Sequence, residues 1–109
     1  MPTPQPGRPV RGSATGRPIM ALLDLLGRRW ALRVIWELSQ APGVTFRELQ
    51  NRCDGVSSSV LTQRLAELTE AGITGRAERG YTLTPDGRDL CTDLVRLESW
   101  ANRWAARPR

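Results

Sequence analysis

The most constraining feature of the sequence is a short helical segment followed by a tight turn and a longer helical segment. Thr45 and Glu48 have the spacing of a capping box, which predicts the start of a helix over about residues 46–52. An Asp-Gly pair at residues 54–55 is a turn signal, and the serines after it supply an N-cap for a helix over about residues 58–71. This is the order of a helix-turn-helix motif.

Helical spacing also appears before and after this motif. Apolar residues at i, i+3, i+4 and i+7 predict a first helix over about residues 19–26, and a stretch rich in apolar residues predicts a central helix over about 29–40. After the motif, Thr84 followed by Pro85 is a helix start signal, which predicts a final helix over about residues 86–104.

The spacing of the apolar residues is no longer helical between the motif and the final helix. Residues 73–78 and 81–83 are short runs that contain strand formers, and Arg79 and Gly80 between them predict a tight hairpin. The sequence therefore predicts a mainly α (α+β) fold. We expect a winged helix-turn-helix with a two-stranded wing and flanking N- and C-terminal helices.

Basic charge is concentrated at the two ends of the chain. The 109 residues carry 16 basic and 11 acidic side chains, but residues 19–106 hold 11 of each and are formally neutral. Residues 1–17, rich in proline and glycine, predict a disordered basic tail. We expect the folded domain over residues 18–106 and a second tail over 107–109.

The composition argues against several classes of function. The sequence lacks histidine, which excludes Ser-His-Asp and Cys-His nucleophiles and most zinc sites. Cys53 and Cys91 lack metal-ligand spacing. The reducing cytoplasm expected for a chain without a signal peptide favours free thiols, with a disulfide and redox sensing left open. No apolar run approaches the ~18 residues of a membrane helix, and no signal peptide is visible. We expect no enzyme, no metal, no cofactor and a cytoplasmic location.

The helix over residues 58–71 has two different sides when it is drawn at 100° per residue. Leu61, Leu65 and Leu68 lie on one side and are expected in the core. The N-terminal part of such a helix can enter the major groove of DNA, where Gln pairs with adenine and Ser or Thr with several base edges. An ordinary solvent-exposed side is the alternative. The first two turns of the opposite side carry Ser59, Thr62 and Gln63, and the acidic residues Glu67 and Glu70 follow only in its later turns. The predicted base contacts are Ser58, Ser59, Thr62 and Gln63.

Arginines around this helix and in the wing predict contacts to the sugar-phosphate backbone of double-stranded DNA, which position a protein without reading sequence. Ion pairs with acidic neighbours are the alternative. The predicted backbone contacts are Arg47, Ser57, Arg64, Arg76, Arg79 and Arg88.

The final helix carries an apolar stripe with steps of 4, 3, 4 and 3 residues, the a/d spacing of a helix pair. This helix is the fifth that the sequence predicts, α5 (about residues 86–104), and we call the set the α5 stripe: Leu90, Leu94, Leu97, Ala101 and Trp104.

The chain also holds four tryptophans, a high load for its length. Tryptophan clusters can line an apolar cavity for a flat ligand, which makes a small aromatic effector a candidate partner. Filling of a small core is the alternative. The candidate cavity residues are Trp30, Trp36, Trp100 and Trp104.

Five segments resemble the HxlR-type winged-helix regulators. Residues 22–30 resemble the "GKW" opening of that family, residues 45–49 its "RFxEL" segment and residues 56–65 its "ISxxxLTxRLxxL" segment. Residues 71–73 and 81–90 are similar to its "xGL" and "YxLTPxGxxL" segments. The resemblance covers nearly everything outside the tails, and the order and spacing of the segments together are specific.

The resemblance implies a dimeric, cytoplasmic bacterial transcription factor whose first and last helices form most of the dimer interface. We therefore expect the α5 stripe to pack with Leu22, Leu23 and Leu26 of a second copy. A two-fold dimer doubles the base contacts and places half-sites of a palindromic operator about one helical turn apart.

The sequence departs from the family pattern in two places. Family members often carry a redox-sensing cysteine just before the first helix, and this stretch has none. The wing is also shorter than is usual for the family, which shifts the expected DNA contacts to the helix and to the arginines at the base of the wing. The neutral charge of residues 19–106 keeps a second function open, a winged-helix module that binds protein and does not read DNA.

Overall fold

The computed structural model describes residues 2–108 as a mainly helical domain with one antiparallel hairpin. This confirms the predicted winged helix-turn-helix. Met1 and Arg109, which end the two predicted tails, lie outside the described residues. In chain order the elements are α1 (Pro18–Leu26), α2 (Ala31–Ser39), α3 (Phe46–Arg52), α4 (Ser58–Glu70), β1 (Thr74–Arg76), β2 (Tyr81–Leu83) and α5 (Pro85–Ala106).

Side-chain caps set the starts of α3, α4 and α5. The Thr45 hydroxyl accepts a hydrogen bond from the Glu48 amide, and the Glu48 carboxylate accepts one from the Thr45 amide, so the predicted capping box is present. Ser57 caps α4, and Thr84 caps α5 just before Pro85. The predicted starts of these helices are confirmed to within one residue.

The wing is joined to the loop that precedes α3. β1 and β2 pair antiparallel, with Thr74 opposite Leu83. Tyr81 also exchanges two backbone hydrogen bonds with Val44. Gly80 has a φ of 74°, and a Cβ there would overlap the Val44 carbonyl, so this turn requires glycine. The wing therefore lies tightly against the start of the helix-turn-helix.

A single core beneath α2 and α4 determines which side of α4 faces outward. Val34 and Ile35 of α2 are fully buried, and so are Leu61 and Leu68 on the inner side of α4. Because the apolar residues of α4 recur every three or four positions, burying them turns the polar side of the helix outward. The predicted core side of α4 is therefore present in the structure.

Residues 2–17 hold no helix and no strand, and the disordered tail that the sequence predicts for them stays a prediction. They form irregular turns that pack over α1 and the end of α4, and Pro4 and Gly16 are buried. The Gly7 amide donates to the Gly16 carbonyl, and Gln5 Nε2 donates to Glu70. Turns and single contacts with remote residues hold this segment. Such contacts leave no periodic pattern in the sequence.

Candidate nucleic-acid interface

The outward side of α4 presents the four residues predicted to contact bases. Ser58, Ser59, Thr62 and Gln63 are all exposed, and we call this set the reading edge. Gln50 of α3 donates from Nε2 to the Ser58 hydroxyl over 3.0 Å, which joins the two helices of the motif at this edge. The structure therefore presents hydroxyl and amide groups over the first two turns of the helix.

The acidic residues of α4 lie away from this edge. Glu70 is exposed in the last turn, where Gln5 donates to it. Glu67 is buried and pairs with two arginines, Arg28 and Arg64. Neither carboxylate is therefore part of the surface that would face DNA phosphates from the front of the helix.

Exposed arginines flank the motif as the sequence predicts. Arg47 lies on the outer side of α3, and Arg88 lies in the first turns of α5 with Nη2 3.4 Å from the Thr82 hydroxyl. Arg76 at the end of β1 places its guanidinium 4.5 Å from the centroid of the Tyr81 ring, a distance typical of a cation–π contact. Each of the three has a solvent-exposed side chain that can approach a phosphate.

Arg79, at the tip of the wing, is folded back onto α3. Its Nη2 lies 2.5 Å from Glu48 Oε1, and its Nη1 donates to the Gly43 carbonyl. The pKa of Glu48 is lowered because the Thr45 hydroxyl donates to the carboxylate, and the charge of Arg79 lowers it further. The side chain of Arg79 is 65% exposed, so this ion pair still leaves one side open to solvent.

Arg64 does not occupy the position expected of a phosphate contact. Its side chain is only 15% exposed. Nε donates to the Arg29 carbonyl and Nη1 to Glu67, each over 2.8 Å. Because Nε and Nη1 already bond to groups of the same chain, the structure does not favour the predicted backbone contact of Arg64. Sequence reasoning also missed the partner Glu67, which was expected on the exposed part of the helix.

The residues predicted to form a dimer interface fall into two groups. Leu23 of α1 and Leu97 and Trp104 of α5 are about half or more exposed, and Ala101 is exposed as well. Leu26, in contrast, is only 8% exposed, because it packs into the core of its own chain. Leu26 is thus a core residue of its own chain, which does not favour the predicted contact with a second copy. The half-buried members, which also pack against this core, are Leu22, Leu90 and Leu94.

The four tryptophans lie at separate places within one copy of the chain. Trp100 and Trp104 stack on α5 with ring centroids 6.1 Å apart. Trp36 lies on the wall of a groove of about 630 Å³ between α2 and α5, and it is the one tryptophan among the described residues that line it. Trp30 precedes α2 with a φ of 76° and packs against the core. Sequence spacing could not place these rings, because they lie on three different parts of the fold.

The two cysteines are free thiols. Cys53 is buried in the core and Cys91 lies on the wall of the groove between α2 and α5. Burial raises the pKa of both thiols, which lowers the fraction of reactive thiolate at neutral pH. Within residues 2–108, no cluster of His, Cys, Asp and Glu has the geometry to hold a metal ion. None of the helices in this part of the chain combines the length and apolar character needed to span a membrane.

Taken together, a capped helix with an exposed polar edge, an adjoining short helix and a hairpin define a winged helix-turn-helix of the DNA-binding class. The model of the HxlR-like helix-turn-helix family matches residues 25–109. The chain belongs to this family of transcription regulators, as the resemblance implies.

Known relatives agree with this assignment. The HTH-type transcriptional regulator YvaP of Bacillus subtilis is 28% identical over 75% of this chain and 82% of its own length. The HTH-type transcriptional regulator Mb3122 of Mycobacterium bovis is 32% identical over 89% of this chain, which spans 62% of that relative. Among solved structures, the chain is similar to quinone-bound YodB from B. subtilis, with 30% sequence identity and a TM-score of 0.73. The match covers 79% of this chain and 97% of that chain.

Proposed function

We propose that the protein is a homodimeric bacterial regulator that reads a palindromic operator with two copies of α4. The observation that carries this proposal is the reading edge, which is exposed, uncharged and located at the N-terminal end of a capped helix. The N-terminus of a helix favours the negative charge of DNA phosphates. A regulator of this kind acts on chromosomal DNA, so we place it in the cytoplasm.

Within this proposal, the residues divide into two roles. Gln63 reads an adenine through its N6 and N7 edge, and the neighbouring hydroxyls of Ser58, Ser59 and Thr62 bond to adjacent base edges. Contacts to the sugar-phosphate backbone hold the protein in register. The exposed groups that support these contacts are Ser57, Arg47, Arg76, Arg79 and Arg88.

The apolar surface of α5 and α1 supports the proposed dimer. Leu97 is 61% exposed, Leu23 53% and Trp104 49%, and large apolar groups exposed together are typical of protein interfaces. We propose that the α5 stripe packs against α1 of a second copy through Leu22 and Leu23. A two-fold axis through this contact would present both reading edges to one side of a duplex.

A module that binds protein and not DNA is the competing function, and salt dependence separates the two. We expect binding to a random-sequence duplex to weaken by about 10³-fold between 50 and 200 mM salt, because each phosphate contact releases counterions. The measurement is the fluorescence anisotropy of a labelled duplex at several salt concentrations. Binding that is absent at 50 mM, or that does not respond to salt, would support the protein-binding module.

A second candidate property is a response to a small aromatic effector. The groove between α2 and α5 is lined mainly by apolar side chains, with Trp36 on its wall, and Leu97 and Ala101 of the α5 stripe also line it. We propose that a flat aromatic ligand binds here and changes the packing of the dimer. Such a ligand shifts the protein toward whichever dimer arrangement it binds more tightly. The quinone in the YodB structure supports this class of ligand.

Tryptophan fluorescence tests the effector proposal. We expect a naphthoquinone to quench Trp36 on binding, so the saturable quenching should be lost in Trp36→Phe. Trp30→Phe is the matched control, because Trp30 does not line the groove. Equal quenching in both variants would contradict binding at this groove.

A further inference from the structure

Three charged side chains form a buried cluster beside the reading edge. Glu67 accepts from Arg64 over 2.8 Å and pairs closely with Arg28, and the side chains of Glu67, Arg28 and Arg64 are 6%, 10% and 15% exposed. We call these three residues the arginine–glutamate cluster. It lies on the flank of α4, between the outward polar side and the core, one helical turn beyond Gln63.

The cluster joins α4 to the turn between α1 and α2. Arg28 belongs to that turn and also donates to the Pro2 carbonyl, while Arg64 Nε donates to the Arg29 carbonyl over 2.8 Å. Trp30, the next residue, has a φ of 76°, which is rare for a residue other than glycine. The backbone of this turn is thus held in a strained conformation that α4 contacts directly through Arg64.

We propose that the arginine–glutamate cluster sets the orientation of α4, and that Arg64 is a positioning residue for base reading and not a phosphate ligand. This inference rests on the proposed function, because it assigns a role within DNA recognition. The planar guanidinium can bond to Glu67 and to the Arg29 carbonyl at once, which a lysine ammonium on a flexible stem does not reproduce with the same geometry. Burial of the leucines is a non-directional force, whereas the hydrogen bonds on the flank of α4 are directional and oppose a rotation or shift of the helix.

The consequences for DNA binding are specific. A rotated or shifted α4 would misplace Gln63 relative to its base, but it would leave the exposed arginines able to contact phosphates. Loss of the cluster therefore weakens binding to the operator and spares binding to unrelated sequence. A residue that contacts a phosphate behaves differently. Its loss weakens binding to the operator and to unrelated sequence alike, and it reduces the slope of log Kd against log salt by about one.

The test compares Arg64→Gln, Arg64→Lys and Arg47→Gln on an operator selected from a random pool and on a random duplex. For both Arg64 variants we expect operator affinity to fall about tenfold, random-duplex affinity to change less than about twofold, and the slope of log Kd against log salt to stay as in the wild type. Arg47→Gln is the matched control. It should lower both affinities and reduce the slope by about one.

Opposite results would overturn the inference. If Arg64→Gln lowers the salt slope by about one and Arg64→Lys restores it, Arg64 is a phosphate ligand. If neither Arg64 variant changes operator affinity, the cluster does not position α4. Wild-type protein that selects no operator would instead overturn the proposed function, so the two failures are distinguishable.

Glu67→Gln gives an independent arm, with circular dichroism confirming that each variant is folded. This change makes the chain more basic, so simple electrostatics predicts tighter binding to every duplex. The positioning role predicts weaker binding to the operator. Tighter operator binding by folded Glu67→Gln would contradict the inference even if an Arg64 variant proved unstable.

Discussion

Helices α4 and α5 expose opposite kinds of surface. α4 buries its leucines and turns Ser59, Thr62 and Gln63 toward solvent. α5 is longer, at 22 residues against 13, and it exposes large apolar groups such as Leu97 and Trp104. An exposed polar edge costs a monomer little, whereas an exposed apolar face is ordinarily covered by another surface.

The contrast shows how one small domain can divide its tasks. The half formed by α3, α4 and the wing exposes none of its large apolar side chains, since they pack into the common core. The half formed by α1 and α5 leaves apolar area uncovered. This contrast supports the proposal that the first half reads sequence and the second half mediates assembly.

The largest expected effect comes from placing a charge on the apolar face of α5. Leu97→Asp should convert the dimer to a monomer, because a buried carboxylate without a partner is costly. Operator affinity should fall by about 100-fold or more when the second reading edge is lost. Sedimentation velocity at micromolar concentration measures the first effect and anisotropy the second.

Ser99→Asp is the control for that experiment, because Ser99 lies on the opposite side of the same helix and is exposed. It adds the same charge and should leave the dimer intact. If both variants dissociated to monomers, the result would contradict the proposal that the α5 stripe forms the dimer interface. A wild-type protein that is already a monomer would do the same.

The next effect concerns the connection between the wing and α3. Gly80→Ala should lower the free energy of unfolding by more than about 2 kcal/mol, because it adds an overlap with the Val44 carbonyl to an unfavourable positive φ. Gly55→Ala is matched, since φ is 83° there with open space around the Cβ position, and should cost only about 1 kcal/mol. Urea unfolding measures both, and equal losses would contradict the close contact of the wing.

A smaller effect is expected for base reading itself. Gln63→Ala should weaken operator binding about tenfold and random-duplex binding by less than about twofold, because one base contact is lost without a change in charge. Arg47→Ala should weaken both to the same degree. Anisotropy titrations at a single salt concentration suffice, and equal losses on the two duplexes for Gln63→Ala would refute its reading role.

The smallest expected effect is a pH dependence in the capping box of α3. The pKa of Glu48 is lower in the folded state than in the unfolded state, where it is about 4.3. The ionised carboxylate therefore stabilises the fold above a pH of about 4.3. This stability is lost as the pH falls through the pKa that Glu48 has in the folded protein. Thr45→Ala should remove part of this dependence, because the Thr45 hydroxyl donates to the carboxylate.

Ser57→Ala provides the comparison for the capping box. It also deletes an N-cap, worth about 1 kcal/mol, but its cap involves no carboxylate. Thermal unfolding between pH 3 and pH 7 should therefore show a smaller loss on acidification for Thr45→Ala than for Ser57→Ala. Identical pH profiles would show that Glu48 gains nothing from the cap.

Local signals in the sequence predicted much of the fold and of the reading edge. The caps at Thr45, Ser57 and Thr84 involve residues only three positions apart, so the chain near each cap carries the whole signal. The outward side of α4 follows from its leucine spacing for the same reason. These features depend little on the rest of the molecule.

Remote contacts were beyond sequence reasoning. Glu67 was expected at the surface, but its partner Arg28 lies 39 residues earlier in the chain, and no local pattern connects the two. Leu26 fits an apolar stripe equally well as a core residue or as an interface residue, and only packing decides between them. The positions of the tryptophans were equally hard to predict. Sequence periodicity shows on which side of a helix a residue lies, but it does not show which other element packs against that side.

Selection of bound duplexes from a random pool tests most directly whether two copies of the reading edge face one double helix. We expect the selected sequences to be palindromic, with half-site centres about 10 base pairs or a multiple of that apart. A single short site without symmetry, or no enrichment over the starting pool, would contradict the paired arrangement.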